Sequence, residues 1–275
     1  CIRDRPHTPF VAPKRYFELY PPKSIGVPST PAGYLDTLPD PARRSLTSRP
    51  EQNNLATEMA QQAIQAYYAS ITFADAQIGR ILEALERIGL AQNTIVLLTS
   101  DHGYHMGEHG TYQKTTLFDN ADRVPLIIAT PDAKHAGATA ATLAEMVDFF
   151  PTLTELAGLQ PPATISGVSL VPALDDPMTQ VRDSALTQYA RGYSVRTLTH
   201  RYTEWGPEGA RGIELYDCQA DPEELHNCAD QADTATRTEL AELLHRRIEQ
   251  ATVRPSGLVQ IRRTRIAPQE HERGK

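Results

Sequence analysis

The chain has 275 residues, 40% of them hydrophobic and 22% charged, which is enough apolar content for one sizeable core or for a large domain with a smaller appendage. Lys and Arg total 27 against 34 Asp and Glu, a formal net charge of -7, and this argues against a general nucleic-acid binder, because phosphate backbones are held by clustered basic surface. No run reaches the roughly 20 apolar residues needed to cross a bilayer, so no membrane span is expected.

The first 50 residues are rich in proline, with Pro21-Pro22, Pro28, Pro31, Pro39, Pro41 and Pro50, which forbids long helices and predicts an extended segment lying over a surface. The chain opens on Cys1 instead of Met, in sequence that reads as the middle of a protein, so its start is expected to be a cut. Apolar residues then recur at three-to-four residue steps, among them Ala63, Tyr67, Ile71, Ile78, Ile81 and Leu85. They predict a helix over 51–88, closed by Gly89. The aliphatic run over 94–100 predicts a strand buried on both faces of a parallel sheet, and 124–129 predicts a second. A helix is expected over 141–156, and helix, strand, loop, strand, helix is the alternation of an α/β sandwich.

After Pro172 the character changes. Alternation in 194–197, 202–205 and 213–216, with a Gly/Pro turn over 206–212, predicts a small antiparallel sheet. A helix over 234–250 should cover one of its faces, and the basic tail beyond Arg254 carries no pattern and is expected to be mobile. Cys1, Cys218 and Cys228 lack Cys-x-x-Cys spacing and are too few for a disulfide framework, so free thiols are expected; pairing of Cys218 with Cys228 in an exported protein stays open.

Ligands of open α/β sheets sit beyond the carboxyl ends of strands, which directs attention to Asp101 and His102. An Asp suits a divalent cation and an adjacent imidazole can reach the same ion, yet a strand-ending Asp often only caps the next turn. The whole stretch is more specific. Ser100-Asp101-His102-Gly103, Gly107-Glu108-His109-Gly110, Lys114 and Arg123-Val124-Pro125 resemble the signature of the type I sulfatases, of the alkaline-phosphatase-like superfamily. Arg5-Pro6-His7-Thr8-Pro9-Phe10 is similar to a segment of the iduronate-2-sulfatase-like members. Phe73 to Gly79 and Glu214-Leu215-Tyr216-Asp217 with Asp221-Pro222-Glu223-Glu224 extend the likeness to about residue 250.

The resemblance implies an alkaline-phosphatase-like αβα sandwich lacking its N-terminal half, with a small C-terminal antiparallel α+β subdomain: residues 1–180 as the C-terminal part of the catalytic domain, 181–255 as the subdomain and 256–275 as a basic tail. It casts Asp101 and His102 as two ligands of a divalent cation, usually Ca²⁺, and Lys114 and His7 as residues that bind the sulfate oxygens or the leaving oxygen. Cleavage of a sulfate ester needs positive charge around the non-bridging oxygens and a proton for the departing alcohol, which an ammonium and an imidazole can supply. For Lys114 this role is favoured over that of a solvated loop lysine; for His7 it balances against packing in the Pro-rich wrap. His109 and Glu108 are expected to be structural, His105 is left unassigned, and Arg123 is expected to tie the loop together.

Two departures stand out. The family's formylglycine nucleophile arises in a Cys/Ser-x-Pro-Ser/Ala-Arg pentapeptide, and none occurs here; the paired aspartates that complete the metal site are also absent. Both are expected in a missing upstream segment, so this fragment alone should be inactive. The implied activity is a sulfuric ester hydrolase acting on a sulfated carbohydrate or other sulfate ester. The alternatives are a phosphonate monoester or phosphodiester hydrolase of the same superfamily, and a catalytically dead glycan-binding remnant. Oligomeric state and compartment are not assigned by the sequence, with periplasmic and secreted locations both open.

Overall fold

The computed structural model describes residues 6–253; the expectations for Cys1, the opening Arg5 and the tail from Arg254 lie outside them. The Pro-rich opening forms no long helix, as proline dictates, but it is not merely draped over a surface. It winds through short turns, including α1 (Lys14–Phe17) and α2 (Asp40–Thr47). Proline at the start of α2 costs nothing, since the first turn's N–H groups have no helical partner. Tyr34, Leu38, Ala42 and Leu46 then enter the core.

The long helix, α3, spans Thr57–Arg87 and ends where Gly89 adopts φ 73°, a left-handed conformation that costs glycine little. Its N-terminal half buries Ala60, Ile64 and Ala69, whereas Ile71, Ile81 and Leu82 stay exposed. The strands β1 (Val96–Thr99) and β2 (Leu126–Ala129) lie where expected, but they pair with each other and antiparallel, in the register Val96↔Ala129 to Thr99↔Leu126. They are also not buried on both faces: Ile127 is 58% exposed. An aliphatic run records the burial that a strand is suited to; whether a covering layer exists depends on the rest of the sheet, and among the described residues no further strand joins this pair. The helix expected over 141–156 is shorter, with α4 (Asp119–Asp122) in the preceding loop and α5 confined to Phe149–Leu156 after a single tight turn. Glu145 and Asp148 close a capping box on that turn, which fixes the start of the helical segment. A short α6 (Val171–Asp175) follows.

The small sheet is a four-stranded meander of β3 (Ala185–Tyr189), β4 (Gly192–Arg196), β5 (His200–Trp205) and β6 (Ile213–Asp217). The first of these strands has no clear alternation and escaped the sequence pattern. Period-two geometry sends neighbouring side chains to opposite faces. Val195, Tyr202 and Leu215 meet Leu240, Leu243 and Leu244 of α7 (Thr234–Thr252), so the C-terminal helix does cover one face. Asp233 caps that helix by accepting Thr236 N–H at 2.9 Å. Trp205 and Tyr216 point the other way, into a second core with Tyr34, Leu38, Ala42, Leu46, Leu117 and Phe118. At about 1.5–3 kcal/mol for each large apolar side chain buried, that second face binds the Pro-rich segment, the loop after β1 and the small sheet into one body. No described helix is long and apolar enough to cross a membrane.

Candidate active site

The loop leaving β1 is shaped by its own short side chains. Ser100 Oγ donates to the His102 carbonyl at 2.8 Å, and Asp101 Oδ1 accepts the N–H of the next residue, His102, at 3.1 Å, a contact that leaves most of the carboxylate in solvent. One oxygen of Asp101 is thus engaged by the adjacent backbone, and the other remains outward. His102 Nδ1 lies 2.7 Å from the Gly103 carbonyl. A carbonyl can only accept, so Nδ1 carries the hydrogen and the lone pair sits on Nε2. That lone pair faces Lys114 Nζ at 2.7 Å and stands 3.5 Å from Asp101 Oδ2. A carboxylate, an imidazole lone pair and an ammonium thus converge from residues up to thirteen positions apart.

Lys114 is aimed by its neighbours. Gln113 is buried; its Nε2 donates to the Ser45 carbonyl at 2.9 Å, its Oε1 accepts Thr115 N–H at 2.9 Å, and its carbonyl accepts His105 N–H at 2.8 Å. His105 Nε2 in turn meets Thr116 Oγ1 at 2.8 Å. His105 and His109 are both buried: His109 stacks on Phe118 with centroids 4.0 Å apart, and its Nδ1 pairs with Tyr34 hydroxyl at 2.5 Å. Burial pushes the His105 pKa down to about 3, and that of His109 falls well below its ordinary value for the same reason, so both are neutral packing groups. Gln113 and Thr116 are positioning groups that nothing in a single sequence marks, because their partners Ser45 and His105 are close only in space.

Gly103 is required by a close approach. Its N–H donates to the Ala121 carbonyl at 2.7 Å, and a Cβ at this position would lie 2.1 Å from the Asn120 carbonyl oxygen. Gly103→Ala must push α4 away. It is expected to cost about 1–3 kcal/mol of stability, the scale of overpacking, read as a lowered denaturation midpoint.

Four site residues are proposed by the sequence, and three of them, Asp101, His102 and Lys114, come together. His7 is exposed, with Nδ1 2.7 Å from the Thr8 carbonyl. Its segment is tied to the same loop through Phe10, which packs edge-on against Tyr67 and Tyr104 at centroid distances of 5.4 and 6.1 Å. Arg123 does not tie the loop: it is exposed and its side chain makes no hydrogen bond among the described residues. A buried arginine from β5, Arg201, does so instead, because only a guanidinium already inside the fold can reach several loop carboxylates at once. Asp101 and His102 suit a hard divalent cation in donor type, but no group of three or more His, Cys, Asp or Glu among the described residues could hold one. They amount to part of a shell that for calcium has six to eight ligands. Cys218 and Cys228 are free thiols; burial raises both, Cys218 to about 11, so neither is a ready nucleophile.

The chain is similar to known proteins along most of its length. The family model described as Sulfatase matches residues 3–159, more than half of the chain, and that described as N-sulphoglucosamine sulphohydrolase, C-terminal, matches 107–254. A sulfatase of Formosa agariphila is 35% identical over 230 residues, covering 81% of this chain and 44% of the relative. An N-acetylglucosamine-6-O-sulfatase of Bacteroides thetaiotaomicron is 36% identical over 204 residues (67% and 35%), and human iduronate 2-sulfatase is 28% identical over 308 residues (81% and 56%). Among solved structures, the phosphonate monoester hydrolase of Agrobacterium radiobacter superposes with a TM-score of 0.79 at 27% identity, covering 90% of this chain and 55% of that one. The fold is of the alkaline-phosphatase-like kind. The chain belongs to the sulfatase family, and the iduronate 2-sulfatases are one of several groups of sulfatases that it matches. It spans about half the length of these relatives.

Proposed function

We propose that the chain supplies the cation-binding and sulfate-binding half of a sulfatase that hydrolyses sulfate esters of sugars. The observation that carries this is the convergence of Lys114 Nζ on His102 Nε2 beside the outward Asp101 carboxylate. Lys114 binds a non-bridging sulfate oxygen and offsets the charge that builds there as the ester bond breaks. Asp101 and His102 would hold a divalent cation, which would polarise the sulfate; the Nε2 lone pair of His102 now accepts from Lys114 and could not serve both partners at once. His7, whose Nδ1 faces the Thr8 carbonyl, is the group cast to protonate the departing alcohol, which it can do only as the imidazolium, with a hydrogen on both ring nitrogens. The nucleophile, a formylglycine in the family, would arise in a Cys/Ser-x-Pro-Ser/Ala-Arg pentapeptide, which does not occur in these 275 residues.

A sugar substrate is supported by the N-acetylglucosamine-6-O-sulfatase relative and by the N-sulphoglucosamine sulphohydrolase model. The phosphonate monoester hydrolase likeness favours a second reading, transfer at phosphorus with the same Asp-His pair. The test is to express the chain alone and extended upstream to the length of its relatives, then assay sulfated glucosamine, an aryl sulfate and an aryl phosphonate monoester. Expected is cation-dependent sulfate release by the extended protein, lost in Asp101→Ala, with none from the chain alone. Preferential phosphonate cleavage would transfer the assignment to the second reading, and turnover by the chain alone would mean the nucleophile lies within it.

A further inference from the structure

The motif around Asp221 to Glu224 takes no part in the chemistry above, although it lies about a hundred residues from the site loop in sequence and touches it in space. Glu224 is buried and its backbone adopts φ 54°, a left-handed conformation that a residue with a Cβ occupies only when its surroundings impose it. Its two carboxylate oxygens do separate jobs. Oε1 accepts Arg201 Nε at 2.6 Å, and Oε2 accepts the backbone N–H of Asp119, the first residue of α4, at 2.8 Å. Arg201 is itself buried, and its remaining nitrogens reach the Asp119 carboxylate, Asp122 Oδ2 at 3.3 Å and Ser194 Oγ at 3.3 Å. One guanidinium and one carboxylate of the small subdomain therefore grip α4 by its backbone and by both of its acidic side chains.

What α4 does with that grip is visible at its other side. The Ala121 carbonyl receives Gly103 N–H at 2.7 Å, and the Asn120 carbonyl lies where any Cβ on residue 103 would have to go. Gly103 directly follows His102 and supplies the carbonyl that holds its Nδ1. Since α4 also begins five residues after Lys114, it is linked to both partners of the Lys114–His102 contact, to His102 through Gly103 and to Lys114 along the chain.

We propose that Arg201 and Glu224 are positioning residues for the Asp101–His102–Lys114 cluster, acting through α4, so that the small C-terminal sheet sets the geometry of the site without touching substrate. The proposal rests on the sulfatase reading only for the use of that geometry; the coupling itself is a property of this chain. A rigid buried network of this kind suits the task, because charged hydrogen bonds shielded from water hold direction as well as distance.

The experiment uses the 275-residue chain and needs no turnover, so its outcome is independent of whether sulfate esters are the substrate. Amide hydrogen exchange is measured at Gly103 and, as an internal control, at Thr203 and Leu215 in the small sheet. The ¹⁵N shift of the His102 ring reports whether Nε2 still accepts from Lys114. In Glu224→Gln, which keeps the shape and removes the charge, Gly103 exchange is expected to rise roughly tenfold or more, the scale of one weakened charge-assisted bond, while the sheet amides hold. The His102 Nε2 signal should move toward that of a solvated imidazole. Arg201→Lys, which retains one charged donor, should give an intermediate change, and Glu239→Gln on α7 none. Unchanged Gly103 exchange and His102 shift in folded Glu224→Gln would overturn the proposal. So would a rise shared equally by the sheet amides, which would mean that Glu224 only stabilises the subdomain.

Discussion

Lys114→Ala, made in the protein extended to the length of its relatives, is expected to lower kcat/KM for a sulfate ester by roughly 10²-fold, the scale of deleting one preorganised donor to a developing negative charge. The loss should fall mainly on kcat, because the charge that Lys114 offsets is larger in the transition state than in the bound ester. The fold should tolerate the change, since Lys114 is half-buried and the anchors on either side of it belong to Gln113 and Thr116. Steady-state kinetics alongside a thermal melt would check both halves of this expectation. A variant that retains full kcat/KM would remove Lys114 from the site.

Acid is expected to destabilise the chain, with two buried histidines driving the loss and the half-buried Asp122 opposing it. His105 and His109 sit in the core with pKa values pushed far below the ordinary histidine value by burial, His105 to about 3. The unfolded chain then binds more protons than the folded one below about pH 6.5, so the stability these residues contribute is complete above that pH. It is lost as the pH falls toward about 3, at roughly 1.4 kcal/mol per pH unit for each histidine. Asp122 works in the opposite sense. Burial raises its pKa to about 7, the pull of Arg201 being partly offset by the neighbouring Glu224 and Asp119 carboxylates. Its protonated form is favoured by folding, so its contribution is full below about pH 4 and disappears as the pH rises through about 7. Between pH 5 and 6.5 it cancels about one histidine. Denaturation midpoints across that window should therefore fall with acid at about the one-proton slope in the native chain. They should fall more steeply in Asp122→Asn and be nearly level in His105→Gln; equal slopes in all three would refute the assignment.

Much of the candidate site was legible in the chain because its parts are local. Asp101, His102 and Gly103 follow a strand end directly, and Lys114 comes after a loop whose turns are dictated by Gly107 and Gly110 at positive φ. Short-range order of this kind is written into consecutive residues. Arg123 misled for a related reason: it is a conspicuous cation beside the motif, yet Arg201, some eighty residues on, takes the loop carboxylates, because strand β5 delivers it to the interior.

By itself the sequence determined the long helix, the two aliphatic strands, the antiparallel character of the small sheet, the helix covering it and the Asp-His-Gly turn. Each rests on periodicity, on capping or on backbone sterics within about a dozen residues. Only the tertiary structure decided that β1 and β2 pair antiparallel, that the Pro-rich opening contributes Tyr34 and Leu46 to a core, and that Lys114 closes on His102. The same holds for the grip of Arg201 and Glu224 on α4. Pairing direction depends on which strand is free to accept hydrogen bonds, burial depends on what lies across the interface, and a charge network depends on which groups are brought out of water together. None of these is a property of a segment; each belongs to the packing of segments far apart in the chain.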